Sequence, residues 1–181
     1  MRLSPLLFLV AFSFAACSST QEVTAPADTG ASLDVRQPPS GSLSSAQLDA
    51  VAIDIRRLEA RPLAAGSDQA RRHLMTWIMG SPDVSVTLCQ GVNGPLLESE
   101  SHYRRELFAQ FILSSAAHKI ENPDADELAV NAGGLEGALA AYRAIMGQQG
   151  SRVRDSFMES VAERSESGSL AEFVRSGLSE C

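Results

Sequence analysis

The stretch from Ser99 to Met146 places the strongest constraint on the fold, because two apolar-periodic segments flank one turn at Asn122-Pro123-Asp124. In the first segment, apolar and small side chains recur at the spacing of one helix face: Tyr103, Leu107, Phe108, Phe111, Ile112, Ser115, Ala116 and Ile120. The second segment repeats this spacing with Leu128, Leu135, Leu139, Tyr142, Ile145 and Met146. Proline is tolerated in the first turn of a helix, so we expect Asn122 to cap the second helix. The sequence therefore predicts a central helical hairpin.

Small residues recur at every fourth position in the second arm of the hairpin, at Gly133, Gly137 and Ala141, with Gly134 beside them. Each glycine costs a helix about 0.5–1 kcal/mol relative to alanine, so such a cluster needs a compensating contact or marks a break. Close packing against a neighbouring backbone, a kink, and direct contact with a ligand or partner all remain open. We expect close packing, and Gly133, Gly134 and Gly137 form the candidate close-contact surface.

Helical patterns also occupy most of the chain outside the hairpin. A serine pair at 44–45 precedes a pattern that ends before Pro62, and a second pattern runs over 67–80. After the hairpin, two further helices are predicted over 151–164 and 170–178. The sequence therefore predicts an all-α single domain, a small bundle of five to six helices around the hairpin.

One stretch departs from the helical pattern. Residues 84–89 alternate between apolar and polar side chains as in a strand, and no second strand pattern is present to pair with them. We expect an extended loop or a very short strand here. The glycine- and proline-rich residues 91–95 that follow predict turns before the hairpin.

The charge balance limits the classes of partner. The 181 residues carry 15 basic and 22 acidic side chains, which gives a formal net charge of −7. Removal of residues 1–16 takes away one basic residue, Arg2, and makes the balance more acidic still. Nucleic acids and anionic membrane surfaces select basic proteins, so neither is an expected partner.

The N-terminus has the pattern of an export signal. A single positive charge precedes a short apolar run over 6–12, and residues 14–17 read Phe-Ala-Ala-Cys. The run is too short for a membrane span, which needs about 20 apolar residues. Residues 14–17 resemble a bacterial lipobox, with Phe14 in place of the commoner leucine. The resemblance implies cleavage after Ala16 and lipid attachment to Cys17, and a plain secretory signal is the alternative.

The resemblance to bacterial lipoproteins implies a signal peptide over 1–16 and a lipidated Cys17. Composition and the helical patterns then predict that this cysteine and a flexible linker occupy 17–42 and that the helical domain occupies 43–181. The linker is rich in Ser, Thr, Ala, Pro and Gly, so it cannot bury enough apolar surface to order itself. In such lipoproteins a serine after the lipidated cysteine favours the outer membrane, and Ser18 stands there. The implied location is the periplasmic face of the outer membrane, with the lipid as the membrane contact.

Two cysteines remain besides Cys17, and an exported protein meets an oxidising environment. Cys89 and Cys181 are therefore predicted to form a disulfide. Because the bond would close a loop of about half the chain, the loop-entropy argument gives a stabilisation of up to about 4–5 kcal/mol. Free thiols and intermolecular pairing are the alternatives, and thiol labelling before and after reduction distinguishes them.

Glu100 is the residue with the strongest claim to catalysis. The Glu100-Ser101 pair resembles the Glu-Ser of lytic transglycosylases, helical envelope enzymes in which a glutamic acid protonates a glycosidic bond. That family follows its glutamate closely with Gly-Leu-Met-Gln, whereas residues 134–137 read Gly-Leu-Glu-Gly and come much later. An ordinary explanation is that Glu100 lies in the first turn of a helix and pairs with Arg104.

Cys89 with His102 or His118 is a second catalytic arrangement to consider. Some envelope lipoproteins resemble a cysteine-peptidase family of wall hydrolases with an Asp-Cys-Ser-Gly motif. Here Leu88 stands at the aspartate position and Gln90 at the serine position, and the sheet of that family is not predicted. We therefore do not expect a cysteine peptidase.

His118 and Glu121 lie one helical turn apart and are candidate metal ligands. A two-metal site in a helical bundle needs two Glu-x-x-His pairs and further glutamates, whereas this pair is reversed and occurs once. Arginine pairs at 56–57, 71–72 and 104–105 suit either an acidic partner or, more simply, the solvated faces of three helices. No metal or cofactor is expected.

These patterns favour a non-catalytic envelope lipoprotein that binds or scaffolds another envelope protein in the periplasm. The alternative is a peptidoglycan-cleaving glycosidase of the lytic transglycosylase type with Glu100 as the acid. We do not expect the protein to be an enzyme, and no sequence pattern identifies its partner.

Overall fold

The computed structural model of the protein describes residues 32–181. The predicted signal peptide, Cys17 and the greater part of the predicted linker therefore lie outside the described residues.

The described part of the chain is all-helical, which confirms the predicted fold class. It contains α1 (Ser45–Ala60), α2 (Ser67–Gly80), α3 (Gln90–Glu98), α4 (Arg104–Glu121), α5 (Glu127–Gln149), a 3₁₀ turn (Gly150–Val153), α6 (Ser156–Ser167) and α7 (Leu170–Leu178). The prediction of five to six helices is wrong by one, because α3 occupies the residues for which turns were predicted. Residues 84–88 are extended and non-helical, as the alternation predicts, and form no strand.

The two longest helices, α4 and α5, pack on each other and contribute much of the core. Fully buried Phe111 and Leu113 of α4 meet Leu135 and Ile145 of α5 in one cluster. The remaining helices pack around this pair: α1 contacts both arms, α2 and α3 contact α4, and α6 and α7 contact α5. Any surface site is therefore held by elements that rest on α4 or α5.

The connection between α4 and α5 differs from the predicted one. Asp126, not Asn122, caps α5, and its carboxylate accepts a hydrogen bond from Ala129 N at 2.8 Å. Lys119 Nζ donates to the carbonyl oxygens of Pro123 at 2.6 Å and Ala125 at 2.9 Å. The turn is thus held by an aspartate cap and by one ammonium group.

Helix α3 crosses α7 at very close range. A Cβ built on Gly177 would lie 2.6 Å from Gly91 O, and one built on Gly91 would collide with the backbone of Gly177. Pro95 lies inside α3 and has no N–H, so it cannot donate to the carbonyl of Gly91 four residues earlier. That carbonyl faces α7 instead.

The sulfur atoms of Cys89 and Cys181 lie at disulfide distance, with their Cα atoms 5.9 Å apart. Cys89 precedes α3 and is fully buried, and Cys181 follows α7. The predicted pair therefore joins the start of one helix of the close crossing to the end of the other.

Part of the predicted linker packs on the helices. The side chains of Leu33 and Val35 are buried, Leu33 N donates to Ala65 O at 2.8 Å, and His73 Nδ1 lies 2.9 Å from Val35 O. Composition alone assigns these residues to the flexible linker because two apolar side chains among polar neighbours do not make a helical pattern. The packed part of the chain therefore begins earlier than residue 43.

Candidate functional site

The candidate close-contact surface, Gly133, Gly134 and Gly137, is buried in the α4–α5 interface. A Cβ on Gly133 would lie 2.5 Å from the His118 ring, and one on Gly134 or Gly137 would collide with Ser115 or Ser114 of α4. The close packing inferred from the sequence is therefore an internal contact, and α4 covers these glycines. The region is also continuous helix over Glu127–Gln149, so the alternative of a break in the helix is wrong.

A chain of polar side chains runs beside these glycines and ties α1 to α4. Arg56 NH1 donates to Glu59 Oε1 at 2.5 Å, Ser114 Oγ donates to the same oxygen at 2.6 Å, and Gln110 Nε2 donates to Ser114 Oγ at 3.0 Å. Glu59, Ser114 and Gln110 are buried. Because a buried carboxylate needs donors, this chain holds the three side chains in place and gives them a structural role.

Glu121 at the end of α4 is bound by Arg56 through two bonds, Nε to Oε1 at 3.1 Å and NH2 to Oε2 at 2.6 Å. These hydrogen bonds hold the pKa of Glu121 below its ordinary value and, with the charge of Glu59, hold the pKa of Arg56 above its ordinary value.

His118, the other candidate metal ligand, packs over Gly133. Within residues 32–181, no group of His, Cys, Asp and Glu is arranged to hold a metal ion.

A depression of about 730 Å³ lies between the segment ahead of α4 and the start of α6. We call it the mixed-charge cleft. Its lining residues are Pro95, Glu98, Ser99, Glu100, Ser101, His102, Arg152, Val153, Arg154, Asp155, Ser156 and Phe157. Residues Arg104, Arg105 and Glu106 line a smaller depression that shares Glu100, Ser101 and His102 with it.

Asp155 is the buried anchor of this cleft. One carboxylate oxygen accepts from Met158 N at 2.9 Å and so caps α6, and the other accepts from Ser99 Oγ. The backbone N–H of Asp155 donates to the hydroxyl of Tyr142 at 3.1 Å, and that hydroxyl donates to Glu159 at 2.6 Å. Burial and the bond to Glu159 raise the pKa of Tyr142 to about 12. These bonds fix the two walls of the cleft relative to each other.

Glu100 lines the mixed-charge cleft but is solvent exposed. It precedes the first turn of α4, which begins at Arg104, and Arg104 donates instead to Ser99 O at 3.3 Å. The predicted first-turn position and pairing of Glu100 are therefore wrong. A glutamic acid that protonates a glycosidic oxygen is held among apolar groups, and exposed Glu100 lacks that environment.

A second depression, of about 360 Å³, has an apolar lining. We call it the apolar groove. It is formed by Met75, Ile78, Met79, Ser81, Val84, Ser85, Val86, Leu88 and Ile112. Met79 is 80% exposed and Leu88 is 50% exposed, so two large apolar side chains project into solvent on its walls.

The backbone of residues 84–88 forms the open side of the apolar groove. Within the described part of the chain, no backbone hydrogen bond involves these residues. Burial alternates along the segment, with Val84 buried, Ser85 exposed, Val86 half-buried and Thr87 exposed, as in an extended chain. The groove thus combines apolar walls with free backbone donors and acceptors.

Sequence patterns miss both depressions for different reasons. Asp155 has a readable signal, because an aspartate before an apolar run is a helix cap, but its bonds to Ser99 and Tyr142 join distant parts of the chain. No sequence pattern indicates that Met79 and Leu88 are exposed, because an apolar residue on a helix or an alternating segment is ordinarily assigned to the core.

The arginine pairs have separate local roles. Arg57 pairs with Asp54 at 3.0 Å, and Arg71 pairs with Asp68 at 2.7 Å. Arg71 also donates to Pro62 O at 3.1 Å, where it closes the α1–α2 connection. Arg104 and Arg105 border the depression next to the mixed-charge cleft, and Arg56 borders a separate one beside Glu59 and His118.

Among residues 32–181, no helix has both the length and the apolar character needed to cross a membrane. Comparison of the chain with models of known protein families, with curated proteins and with solved structures finds no match. The argument for function therefore depends on the residues and surfaces described above.

Proposed function

We propose that this protein is a lipid-anchored lipoprotein of the outer membrane whose helical bundle binds another envelope protein in the periplasm without catalysis. The observation that supports partner binding is the apolar groove, with Met79 and Leu88 exposed beside the unpaired backbone of residues 84–88. The lipobox-like residues 14–17 support the location.

The groove favours an extended segment of the partner. Free N–H and C=O groups on an extended chain accept a strand through main-chain hydrogen bonds, and an adjacent apolar groove receives every second side chain of that strand. No residue that lines the groove carries a charge, although the whole chain has a formal net charge of −7. The partner segment is therefore extended, apolar and uncharged.

Site-specific photo-crosslinking in intact envelopes tests this proposal. A photoreactive amino acid at Ser85 or Thr87, both exposed, is expected to capture a partner through an extended apolar segment that mass spectrometry identifies. Met79→Asp and Leu88→Asp should each reduce the yield several-fold. Ile53→Asp is the matched control, because Ile53 is 53% exposed on α1 and does not line the groove.

Two results would overturn partner binding at the groove. One is a crosslinking yield that Met79→Asp and Leu88→Asp leave unchanged. The other is a product that contains only a second copy of this chain, which would assign the groove to self-association.

Lipid attachment is tested separately by the Cys17→Ala variant. We expect the wild-type protein to fractionate with outer membranes and the variant to become soluble in the periplasm, because the thioether-linked lipid supplies the anchor. A variant that still fractionates with membranes would contradict the lipid anchor.

A second candidate function is cleavage of peptidoglycan, and the observation that favours it is the position of Glu100 in the mixed-charge cleft beside Asp155. Both carboxylate oxygens of Asp155 are already engaged by Ser99 and Met158, so it lacks the freedom of a catalytic partner. In a peptidoglycan zymogram, clearing by the wild type that Glu100→Gln abolishes would support the enzyme and displace the binding function.

A further inference from the structure

We propose that the mixed-charge cleft binds a small zwitterionic ligand, of the class of short peptides with a free α-amino group and a free α-carboxylate. This inference concerns a different surface from the apolar groove and does not depend on partner binding there.

The size of the cleft suits such a ligand. Its volume of about 730 Å³ lies within the range of about 300–1,000 Å³ that is usual for small-molecule sites. Pro95, Val153 and Phe157 are half-buried in its lining and supply an apolar surface. Phe157 is supported from behind by Phe173, with ring centroids 6.1 Å apart.

Acidic and basic side chains line the same cleft, and they make no ion pairs with other described parts of the fold. Glu98 ends α3 and Glu100 lies between α3 and α4, and Arg152 and Arg154 come from the segment ahead of α6. Within residues 32–181, none of these four side chains forms an ion pair or a side-chain hydrogen bond. The two acids offer positions for an ammonium group, and the two arginines offer positions for a carboxylate.

The two charged walls are held by buried bonds. Asp155 is 5% exposed, accepts from Ser99 Oγ and caps α6 through Met158 N. Ser99 Oγ in turn accepts from Ser101 N at 2.9 Å. Because these bonds tie the backbone segment of Glu100 to that of Arg154, the two segments that carry the charges are held in place before a ligand arrives, which reduces the entropy lost on binding.

The choice of a zwitterion follows from the pairing of the charges. A simple anion would use the arginines and be repelled by the acids, and a simple cation would do the reverse. A ligand that carries both charges satisfies both walls, and a short peptide adds apolar groups for Phe157 and its neighbours.

The experiment titrates the complete mature protein with trialanine as the probe. NMR follows the backbone amides of its helical domain. Trialanine is expected to shift amides of residues 98–102 and 152–157 in a saturable way. N-acetyl-trialanine and trialanine amide, which lack one terminal charge each, should bind about 2- to 5-fold more weakly, as is typical for the loss of an exposed ion pair.

Two double variants assign the charges. Glu98→Gln with Glu100→Gln should weaken the binding of trialanine about 2- to 5-fold and leave the binding of N-acetyl-trialanine unchanged. Arg152→Gln with Arg154→Gln should weaken trialanine to the same degree and leave the binding of trialanine amide unchanged. Glu172→Gln with Arg175→Gln is the matched control on α7, and it should change nothing. The absence of shifts at millimolar trialanine, shifts outside the cleft, or equal binding of all three probes would each overturn the proposal.

Discussion

In two pairs of helices, glycines allow the two helices to pack closely. The atoms that fill the space beside the glycines differ between the two pairs. At the α4–α5 interface, the space left by Gly133, Gly134 and Gly137 is filled by side chains of α4: His118, Ser115 and Ser114. At the α3–α7 crossing, Gly91 and Gly177 bring backbone against backbone, and a cysteine pair lies at the ends of the two helices.

The difference follows from the lengths of the helices. α4 and α5 have 18 and 23 residues, so many buried side chains hold them together and the glycines only make room. α3 and α7 have 9 residues each and bury few side chains. Short helices gain little from burial, so a close crossing between them needs a covalent link nearby. The comparison predicts which changes affect which pair.

Removal of the cysteine pair should have the largest effect. Cys89→Ala with Cys181→Ser should lower the free energy of unfolding by about 2–4 kcal/mol, because the unfolded chain gains the freedom of a long loop. Urea unfolding measures this loss, and hydrogen exchange should show it first in α3 and α7. Wild-type protein in reductant should show the same loss of stability as the double variant. Two reactive thiols in native protein without reductant would show that the disulfide is absent.

Gly177→Ala should be the next most damaging change. The new Cβ would lie 2.6 Å from Gly91 O and 2.7 Å from Gly91 C, and backbone atoms cannot rotate away. We expect a loss of about 3 kcal/mol in the free energy of unfolding, as for an overpacked core. The measurement is chemical denaturation with the disulfide intact. A loss below that of Gly134→Ala would show that the α3–α7 crossing adapts more easily than its geometry indicates.

Gly134→Ala should cost about 1–3 kcal/mol, because the side chain of Ser115 can rotate whereas the Phe111 ring, 2.9 Å from the new Cβ, must shift. Gly147→Ala is the matched control in the same helix, since nothing lies within 4 Å of its Cβ position. The control should stabilise the protein by about 0.5–1 kcal/mol through helix propensity. Thermal unfolding of both variants distinguishes a packing effect from a general effect of alanine.

The smallest effect is expected at the Arg56–Glu121 pair. The folded pKa of Glu121 is lowered, so its stabilising contribution is present above the unfolded value of 4.5 and is lost as the pH falls through the lower folded value. The difference in unfolding free energy between wild type and Glu121→Gln should be below about 1 kcal/mol at pH 7, because both side chains are partly exposed. It should vanish at acid pH, and a difference that persists there would show that charge is not its cause.

The sequence predicts the α4–α5 pair well and the α3–α7 pair poorly, for a physical reason. Apolar periodicity over Tyr103 to Ile120 and Leu128 to Met146 reflects burial of one helix face, which is a property of the segment itself. Residues 91–95 contain two glycines and a proline, which favour turns locally. They become helical because α3 packs on α4 and α7, and that contact is set by distant residues.

The candidate sites show the same limit. The pairing of Cys89 with Cys181 is predicted from the cysteine count and from the expected export, and the disulfide distance between their sulfur atoms confirms the pairing. Gly133, Gly134 and Gly137 pack closely on side chains of α4, and no sequence pattern shows that α4 itself fills the space beside them. The mixed-charge cleft joins the segments before α4 and α6, and side chains that meet across about 50 positions leave no local periodicity.

The ammonium group that holds the α4–α5 turn has a further consequence for chemistry at the surface. Lys119 is the single lysine of the 181 residues, and its Nζ is occupied by two carbonyl oxygens. Reagents and modifying enzymes that require a lysine side chain therefore have one target within the chain, and acetylation there would remove its charge and at least one of the two bonds that hold the turn. Neither the apolar groove nor the mixed-charge cleft contains an amine, so labels directed at lysine leave both surfaces unaltered.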